Sequence, residues 1–203
     1  MSMKPWDARL ARTLVRPLAD SRLVHPNHFT LLRLVVGIAG AAAFAASYAP
    51  NVAALLVVLS NFLDHTDGEL ARMSGKTSRF GHYFDLTADA IVTVALFAGI
   101  GIGLAHGTVG GFAIVLGTVA GIAVAVIFHL RNLMEGAHGK AATKQPQWGG
   151  FEAEDVLYLM PLVTLSGSLE WFLYAAGLGA PVACAVVVLS YRRTMRAAGG
   201  QRA

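Results

Sequence analysis

Long apolar stretches are the feature of this sequence that most limits what it can fold into. A helix needs about 20 mostly apolar residues to cross the hydrocarbon core of a bilayer. Six stretches approach that length, at 29–49, 51–72, 80–105, 108–131, 153–169 and 171–191. Because only helices and closed barrels satisfy their backbone hydrogen bonds inside a bilayer, the pattern predicts an all-α integral membrane protein with six transmembrane helices.

The charge content and the single cysteine exclude other classes of protein. Charged residues make up 14% of the chain, against about 25% in typical soluble domains. This composition excludes a soluble enzyme and a disordered chain. Cys184 is the only cysteine, so a small domain held together by internal disulfides is excluded as well.

The positions of the basic residues predict the orientation of the helices. All 16 Lys and Arg residues lie in four regions: up to residue 33, at 72–79, at 131–144 and after 191. The predicted loops on the other side have none. Because short cytoplasmic loops are enriched in Lys and Arg, we expect a multi-pass protein of the cytoplasmic membrane with both termini in the cytoplasm. The pI of 9.5 then reflects topology and not nucleic-acid binding.

The chain divides into an N-terminal segment at 1–25, a six-helix transmembrane domain at 26–196 and a cytoplasmic tail at 197–203. In the first segment, Trp6, Leu10, Leu14 and Leu18 recur every four residues, with arginines elsewhere around the helix. This pattern predicts an amphipathic helix lying in the membrane interface; a basic leader with chance leucines is the alternative. We expect Asn27 or Thr30 to cap the first span.

Four aspartates cluster between the second and third stretches, at Asp64, Asp67, Asp85 and Asp89. Residues three and four apart share one face of a helix. The first pair therefore shares a face with Gly68 and Ala71, and the second pair shares a face with Gly81. If the two helices are neighbours, the four carboxylates converge.

Such a cluster predicts a divalent metal site. Each Asp costs about 2.5–3.5 kcal/mol at the centre of a membrane helix, and neighbouring carboxylates repel one another. Mg²⁺ prefers oxygen ligands and often binds substrate phosphates as well. Two such ions can clamp a phosphoryl group during displacement. The small residues leave space for a base or a diphosphate, and Arg72 can pair with phosphate oxygens. Exposed acids paired with nearby bases are the alternative.

The same residues resemble the signature of the CDP-alcohol phosphotransferases. The pattern Asp-x2-Asp-Gly-x2-Ala-Arg-x8-Gly-x3-Asp-x3-Asp begins at Asp64 and ends at Asp89. The resemblance implies a Mg²⁺-dependent enzyme, with two ions and Mn²⁺ as an alternative, that transfers a substituted phosphate from a CDP-linked donor to an alcohol and releases CMP. It also implies a homodimer in a membrane.

Residue roles follow from the resemblance, position by position. It implies that Asp64, Asp67, Asp85 and Asp89 bind the metals, and that Asp89 is also the catalytic base that deprotonates the acceptor hydroxyl. The implied contacts to the CDP moiety are made by Asn27, Thr30, Gly68, Ala71, Arg72 and Gly81, with Arg33 close by.

The donor and acceptor stay open at this point. We expect CDP-diacylglycerol as donor and a small hydrophilic alcohol as acceptor. A CDP-linked small head group with a lipid alcohol is one alternative, and a phosphorylated polyol acceptor is another. A cation transporter is a distant rival, because its acids should lie near the bilayer midplane, often in repeated halves. An inactive scaffold has no support in the intact pattern.

Several other residues have both a functional and a structural interpretation. Two histidines beside the aspartates either bind metal or line the rim of the site. Three further groups either contact the acceptor or serve as helix-end and interfacial residues. The histidines are His65 and His82; the three groups are His129 with Arg131 and Asn132; Glu152 with Glu154 and Asp155; and Arg192 with Arg193 and Arg196.

Overall fold

The structure, a computed structural model, describes residues 6–138 and 153–200, and every regular element in these ranges is helical. The prediction of an all-α protein is confirmed. The helices are α1 (Trp6–Val15), α2 (Pro26–Ala46), α3 (Pro50–Ser74), α4 (Arg79–Leu104), α5 (Phe112–His138), α6 (Met160–Leu165) and α7 (Leu169–Gly200). Short 3-10 helices at Arg16–Leu18 and Ala153–Leu159 follow α1 and precede α6.

Four helices of the described ranges are long and apolar enough to cross a membrane. They are Pro26–Ala46, Arg79–Leu104, Phe112–Gly136 and Leu169–Met195. Helix α3 has 25 residues, but its second half carries several charged residues and is too polar to count as an apolar span. The predicted stretch at 153–169 is not one helix: a 3-10 segment leads into the six-residue α6, with Pro161 in its first turn.

The ends of the helices are set by local hydrogen bonds. Helix α2 is capped by His25, and the prediction of Asn27 or Thr30 as the cap was wrong. The His25 ring accepts from the Asn27 backbone N–H, while the His28 ring accepts from the His25 backbone N–H. A histidine can serve here because its unprotonated ring nitrogen is an acceptor.

The core has residues from α2 to α7, and very small residues stand where α2 and α5 each contact α4. A Cβ on Gly99 of α4 would lie 2.3 Å from the Ala41 carbonyl oxygen of α2. One on Gly117 of α5 would lie 2.2 Å from the Phe97 carbonyl oxygen of α4. Close backbone approach of this kind is typical of helix packing in membranes, where small residues replace a hydrophobic driving force.

Helix α1 packs against α3 through a narrow face of small side chains. Ala8, Ala11 and Val15 are buried, whereas Leu10 and Leu14 are about half exposed. Arg9, Arg12 and Arg16 are exposed as well. The predicted leucine stripe therefore faces away from the rest of the protein, which leaves an apolar and basic surface.

The crossing of α2 and α4 generates a stability prediction. We expect Gly99→Ala to lower the thermal unfolding midpoint in detergent, because overpacking costs about 1–3 kcal/mol and the Cβ meets rigid backbone. Gly179→Ala in α7 is the matched control, since nothing lies within 4 Å of a Cβ there. An unchanged midpoint in Gly99→Ala would contradict the close crossing.

Candidate active site

A short connection between α3 and α4 places the four aspartates at adjoining ends of the two helices. Helix α3 ends at Ser74 and is capped by Gly75, whose φ of 66° lies in the left-handed region that glycine adopts readily. Ser78 then caps α4, and its hydroxyl accepts from the Gly81 backbone N–H at 2.9 Å. Because the chain reverses within these few residues, the last turns of α3 face the first turns of α4.

Three of the aspartates form a group with the geometry of a metal site. Asp64, Asp67 and Asp85 each offer a carboxylate oxygen, and these oxygens all lie within 4.8 Å of one another. Asp85 Oδ1 is buried and has no hydrogen-bond partner among the described residues. Carboxylate oxygens are the ligands that Mg²⁺ and Mn²⁺ prefer, so the residues present fit the predicted cation.

Two residues of α2 hold this group in place. The Thr30 hydroxyl is buried and donates to Asp67 Oδ2 at 2.7 Å. The Arg33 guanidinium, also buried, pairs with Asp64 through Nη1 and lies 3.4 Å from Asp89 Oδ1 through Nη2. A cation next to several carboxylates offsets their mutual repulsion, and its effect is large because burial weakens screening by water.

All six residues predicted to contact the CDP moiety line one cavity of about 300 Å³, the Arg72 cavity. Asp64, Asp67 and Asp85 are called the metal group below, and two of them, Asp67 and Asp85, line the same cavity. The six are Asn27, Thr30, Gly68, Ala71, Arg72 and Gly81. A Cβ on Gly81 would lie 2.9 Å from Asn27 Oδ1, so a larger residue there would narrow the cavity.

The basic residues of the Arg72 cavity are held by neighbouring groups. The Arg72 guanidinium donates to Glu69 at 2.9 Å, and that carboxylate is 2% exposed. Lys76 Nζ donates to the backbone carbonyls of Ser21 and Val24 in the segment before α2. These contacts place two positive charges at the rim of the cavity, where an anionic ligand would meet them.

Asp89 stands beside the metal group and borders two further cavities. The first, the His129 cavity, has a volume of about 430 Å³ and a polar end formed by His129, Arg131, Asn132 and Glu135. The second, the apolar cavity, has a volume of about 390 Å³ and lies among α3, α4, α5 and α7. Apart from Asp89, Arg33 and a few neutral polar groups, its walls are hydrocarbon.

The remaining candidates are spread over the molecule. His82 lines the Arg72 cavity, whereas His65 turns away and lies 3.1 Å from Asp7 of α1. Arg192 and Arg193 are exposed near the end of α7. Glu152 lies outside the described residues, and so do the side chains of Glu154, Asp155 and Arg196. Both interpretations of Glu152, Glu154 and Asp155, as acceptor contacts or as residues of a helix end, therefore stay predictions.

Sequence reasoning undervalued Arg33. The charge pattern groups it with the basic residues that set topology, yet its side chain is buried and contacts two aspartates. The sequence does contain an indication of this role: a charged residue four positions inside an apolar stretch costs free energy in a membrane, and such residues are usually functional. The Asp7 contact had no such signal, since Asp7 is far from His65 in the sequence.

A family model described as CDP-alcohol phosphatidyltransferase matches residues 23–191. The chain belongs to the CDP-alcohol phosphatidyltransferase family. The match covers most of the chain and includes all four aspartates and the α2 residues that contact them. The predicted resemblance is thereby confirmed, and the four long apolar helices agree with a multi-pass membrane protein.

Curated relatives of this family match over shorter segments. The chain is 32% identical over 82 residues to archaetidylinositol phosphate synthase of Pyrococcus horikoshii (39% of this chain, 42% of the relative). It is 36% identical over 86 residues to phosphatidylinositol phosphate synthase of Streptomyces avermitilis (42% and 35%). It is 39% identical over 88 residues to CDP-diacylglycerol–serine O-phosphatidyltransferase of Helicobacter pylori (42% and 37%). The matched part is thus less than half the length of each of these relatives.

Solved structures of phosphatidylinositol phosphate synthase from Mycobacterium tuberculosis share the fold. One has CDP-DAG bound and aligns with a TM-score of 0.66 at 20% identity, over 92% of this chain and 93% of that chain. Another contains manganese and citrate and aligns with a TM-score of 0.65 at 20% identity, over 91% and 88%. The TM-scores show that this chain and these structures share a fold.

The Thr30–Asp67 hydrogen bond generates a test of the metal group. We expect Thr30→Val to weaken Mn²⁺ binding by about tenfold, because partners of metal-binding carboxylates typically contribute that much. Thr66→Val is the matched control: Thr66 is also buried, but its hydroxyl donates to the Phe62 carbonyl within α3. Equal Mn²⁺ affinity in the two variants, measured by electron paramagnetic resonance, would contradict a contribution of the Thr30–Asp67 hydrogen bond to metal binding.

Proposed function

We propose that this protein transfers a phosphatidyl group from CDP-diacylglycerol to the hydroxyl of a small alcohol and releases CMP in phospholipid synthesis. One observation carries the proposal. A single cavity is lined by all six expected CDP contacts and borders a group of carboxylates suited to divalent cations. Family membership supports the reaction class. A related fold is known with CDP-DAG bound, which supports this donor.

The positions of the residues suggest a role for each of them in the reaction. We assign metal binding to Asp64, Asp67 and Asp85, with Asp89 contributing. Bound Mg²⁺ would neutralise the diphosphate and stabilise the CMP leaving group. In the protein, Arg72 and Lys76 attract the phosphates to the cavity rim, and the small residues Gly68, Ala71 and Gly81 leave space for the nucleotide.

Asp89 is the base in this proposal. Its carboxylate borders the His129 cavity and stands beside the metal group, so an acceptor bound there could place its hydroxyl next to Asp89. The carboxylate would take the hydroxyl proton as the oxygen attacks the phosphorus. Arg33 orients this carboxylate and balances the charge of Asp64 at the same time.

Two cavities border Asp89, and the polarity of their lining residues favours a polar substrate in one and a lipid substrate in the other. Hydrogen-bonding groups at the end of the His129 cavity suit a hydrophilic alcohol. The apolar cavity suits hydrocarbon, since it offers few polar partners to water. A phosphorylated polyol is the second candidate acceptor, because Arg131 can pair with a phosphate and two relatives are named as inositol phosphate lipid synthases.

The membrane arrangement belongs to the same proposal. We place α3 and the segment containing α6 among the spans, which gives six crossings with both termini in the cytoplasm. The exposed leucines and arginines of α1 support an interfacial position on an anionic membrane surface. The site then opens to the cytoplasmic leaflet, where CDP-linked substrates are available, and the enzyme works as a homodimer.

CMP release by the purified protein in lipid-containing micelles tests the reaction. We expect release with CDP-diacylglycerol, Mg²⁺ and a suitable alcohol, with loss on chelation and at least a hundredfold loss in Asp89→Asn, within the range of general-base contributions. Asp20→Asn, a change in an exposed loop, is the control. Turnover only with CDP-linked small alcohols and a lipid alcohol would reverse the donor assignment.

The acceptor position has its own test. We expect Arg131→Ala to raise the KM for the acceptor by about tenfold, the effect of losing one hydrogen bond to a charged group, with little change in the KM for the CDP donor. Arg192→Ala, at an exposed position on α7, is the matched control. A selective effect of Arg192→Ala instead would move acceptor binding from the His129 cavity to the end of α7.

A further inference from the structure

Asp7 of α1 is a completely buried carboxylate outside the site described above. Its exposed fraction is 0%. Oδ1 accepts from the Ala8 backbone N–H at 2.7 Å, and Oδ2 accepts from the Tyr158 hydroxyl at 3.1 Å. The same Oδ2 lies 3.1 Å from His65 Nδ1. An aspartate is rarely buried unless it is paired, and here one carboxylate joins α1, α3 and the 3-10 segment before α6.

The contact between Asp7 and His65 indicates which ring nitrogen of the imidazole carries a proton. Nδ1 lies 3.1 Å from the Asp7 carboxylate and 3.2 Å from the Asn61 carbonyl oxygen. Both neighbours are hydrogen-bond acceptors, so Nδ1 carries a proton and donates. The ring is therefore held between a backbone group of its own helix and a side chain of α1.

The position of His65 in the sequence gives this contact its consequence. His65 follows Asp64 directly and precedes Asp67 by two residues, so all three lie within one turn of α3. The backbone of a single helical turn moves as one unit, because hydrogen bonds join its residues. Holding His65 on one side of the turn therefore sets the direction in which the two carboxylates point on the other side.

Among the described residues, the other contacts of α1 with α3 are mainly packing contacts. The residues that it buries are small, Ala8, Ala11 and Val15, and packing of such residues does little to fix rotation or register. The hydrogen bonds of Asp7 are directional, and they have partners on two other elements.

We infer that Asp7 is a positioning residue for the metal-binding turn of α3, acting through His65 and braced by Tyr158. The inference rests on the proposed function, because it concerns the metal group used there. It assigns to α1 a role beyond contact with the membrane surface. The N-terminal helix becomes part of the framework that keeps Asp64 and Asp67 in place.

The test is a Mn²⁺ titration of the full-length protein without substrate, followed by electron paramagnetic resonance of free Mn²⁺. We expect Asp7→Asn to weaken Mn²⁺ binding by about tenfold, the lower end of the range for groups that orient metal ligands. Asn has only one accepting oxygen, and its amide nitrogen can only donate, so it cannot accept from the Ala8 N–H on one side and from Tyr158 and His65 on the other. Asp20→Asn is the matched control, because Asp20 is exposed and close to α1 in the sequence.

A purely structural role would give a different result. Asp7→Asn would then lower the unfolding midpoint and speed amide exchange in α1, while the folded protein would bind Mn²⁺ as the wild type does. That outcome overturns the inference. His65→Gln should weaken Mn²⁺ binding similarly, and the double variant should be no worse than either single one, because the two residues act along one path.

Two further measurements keep the outcomes distinct. If Asp7→Asn does not fold, Tyr158→Phe and His65→Gln decide in the same titration, and unchanged Mn²⁺ affinity in both overturns the inference. Wild-type protein that binds Mn²⁺ but releases no CMP from any CDP-linked donor contradicts the proposed function alone. In that case the comparison of Asp7→Asn with the wild type still tests the positioning role.

Discussion

The arrangement of the site depends on one electrostatic constraint: several carboxylates must share a small, partly buried volume. Like charges at these separations repel strongly where water screens them poorly. Arg33 supplies the opposing charge from α2, and it contacts an aspartate from each of the facing helices. Without a cation, the ends of α3 and α4 would be pushed apart, so α2 is as much a part of the site as the two helices that carry the signature.

Helix α3 explains how a membrane bundle can hold such a polar site. Its first half is apolar and packs in the core through Ala53, Ala54 and Val57, whereas its second half carries the acidic residues. The polar half is covered by α1 on one side and faces α4 on the other. Its polar side chains have partners on α1, through the contact of His65 with Asp7, and on α2, through Thr30 and Arg33, which the hydrocarbon of a bilayer cannot supply.

Much of the fold and of the site could be predicted from local patterns. Apolar length identified the four long spans, and helical periodicity placed the aspartates and small residues on common faces. The spacing of the signature then identified the residues that line the Arg72 cavity. The stretch at 153–169 is apolar, but Pro161 and Gly167 interrupt it, and it forms a 3-10 segment followed by the six-residue α6. The cap of α2 was missed because histidine is an uncommon cap whose suitability depends on its tautomer.

The sequence by itself determined the class of the protein, the position of the metal group and the face of each helix that carries it, because these depend on residues near one another in the chain. Only the tertiary structure decided which distant groups meet them. Arg33 reaches Asp64 and Asp89 because small residues let α2 approach α4 closely. Asp7 meets His65 and Tyr158 because α1 docks on α3. Such pairings depend on how helices cross, and crossing geometry arises from packing over the whole bundle.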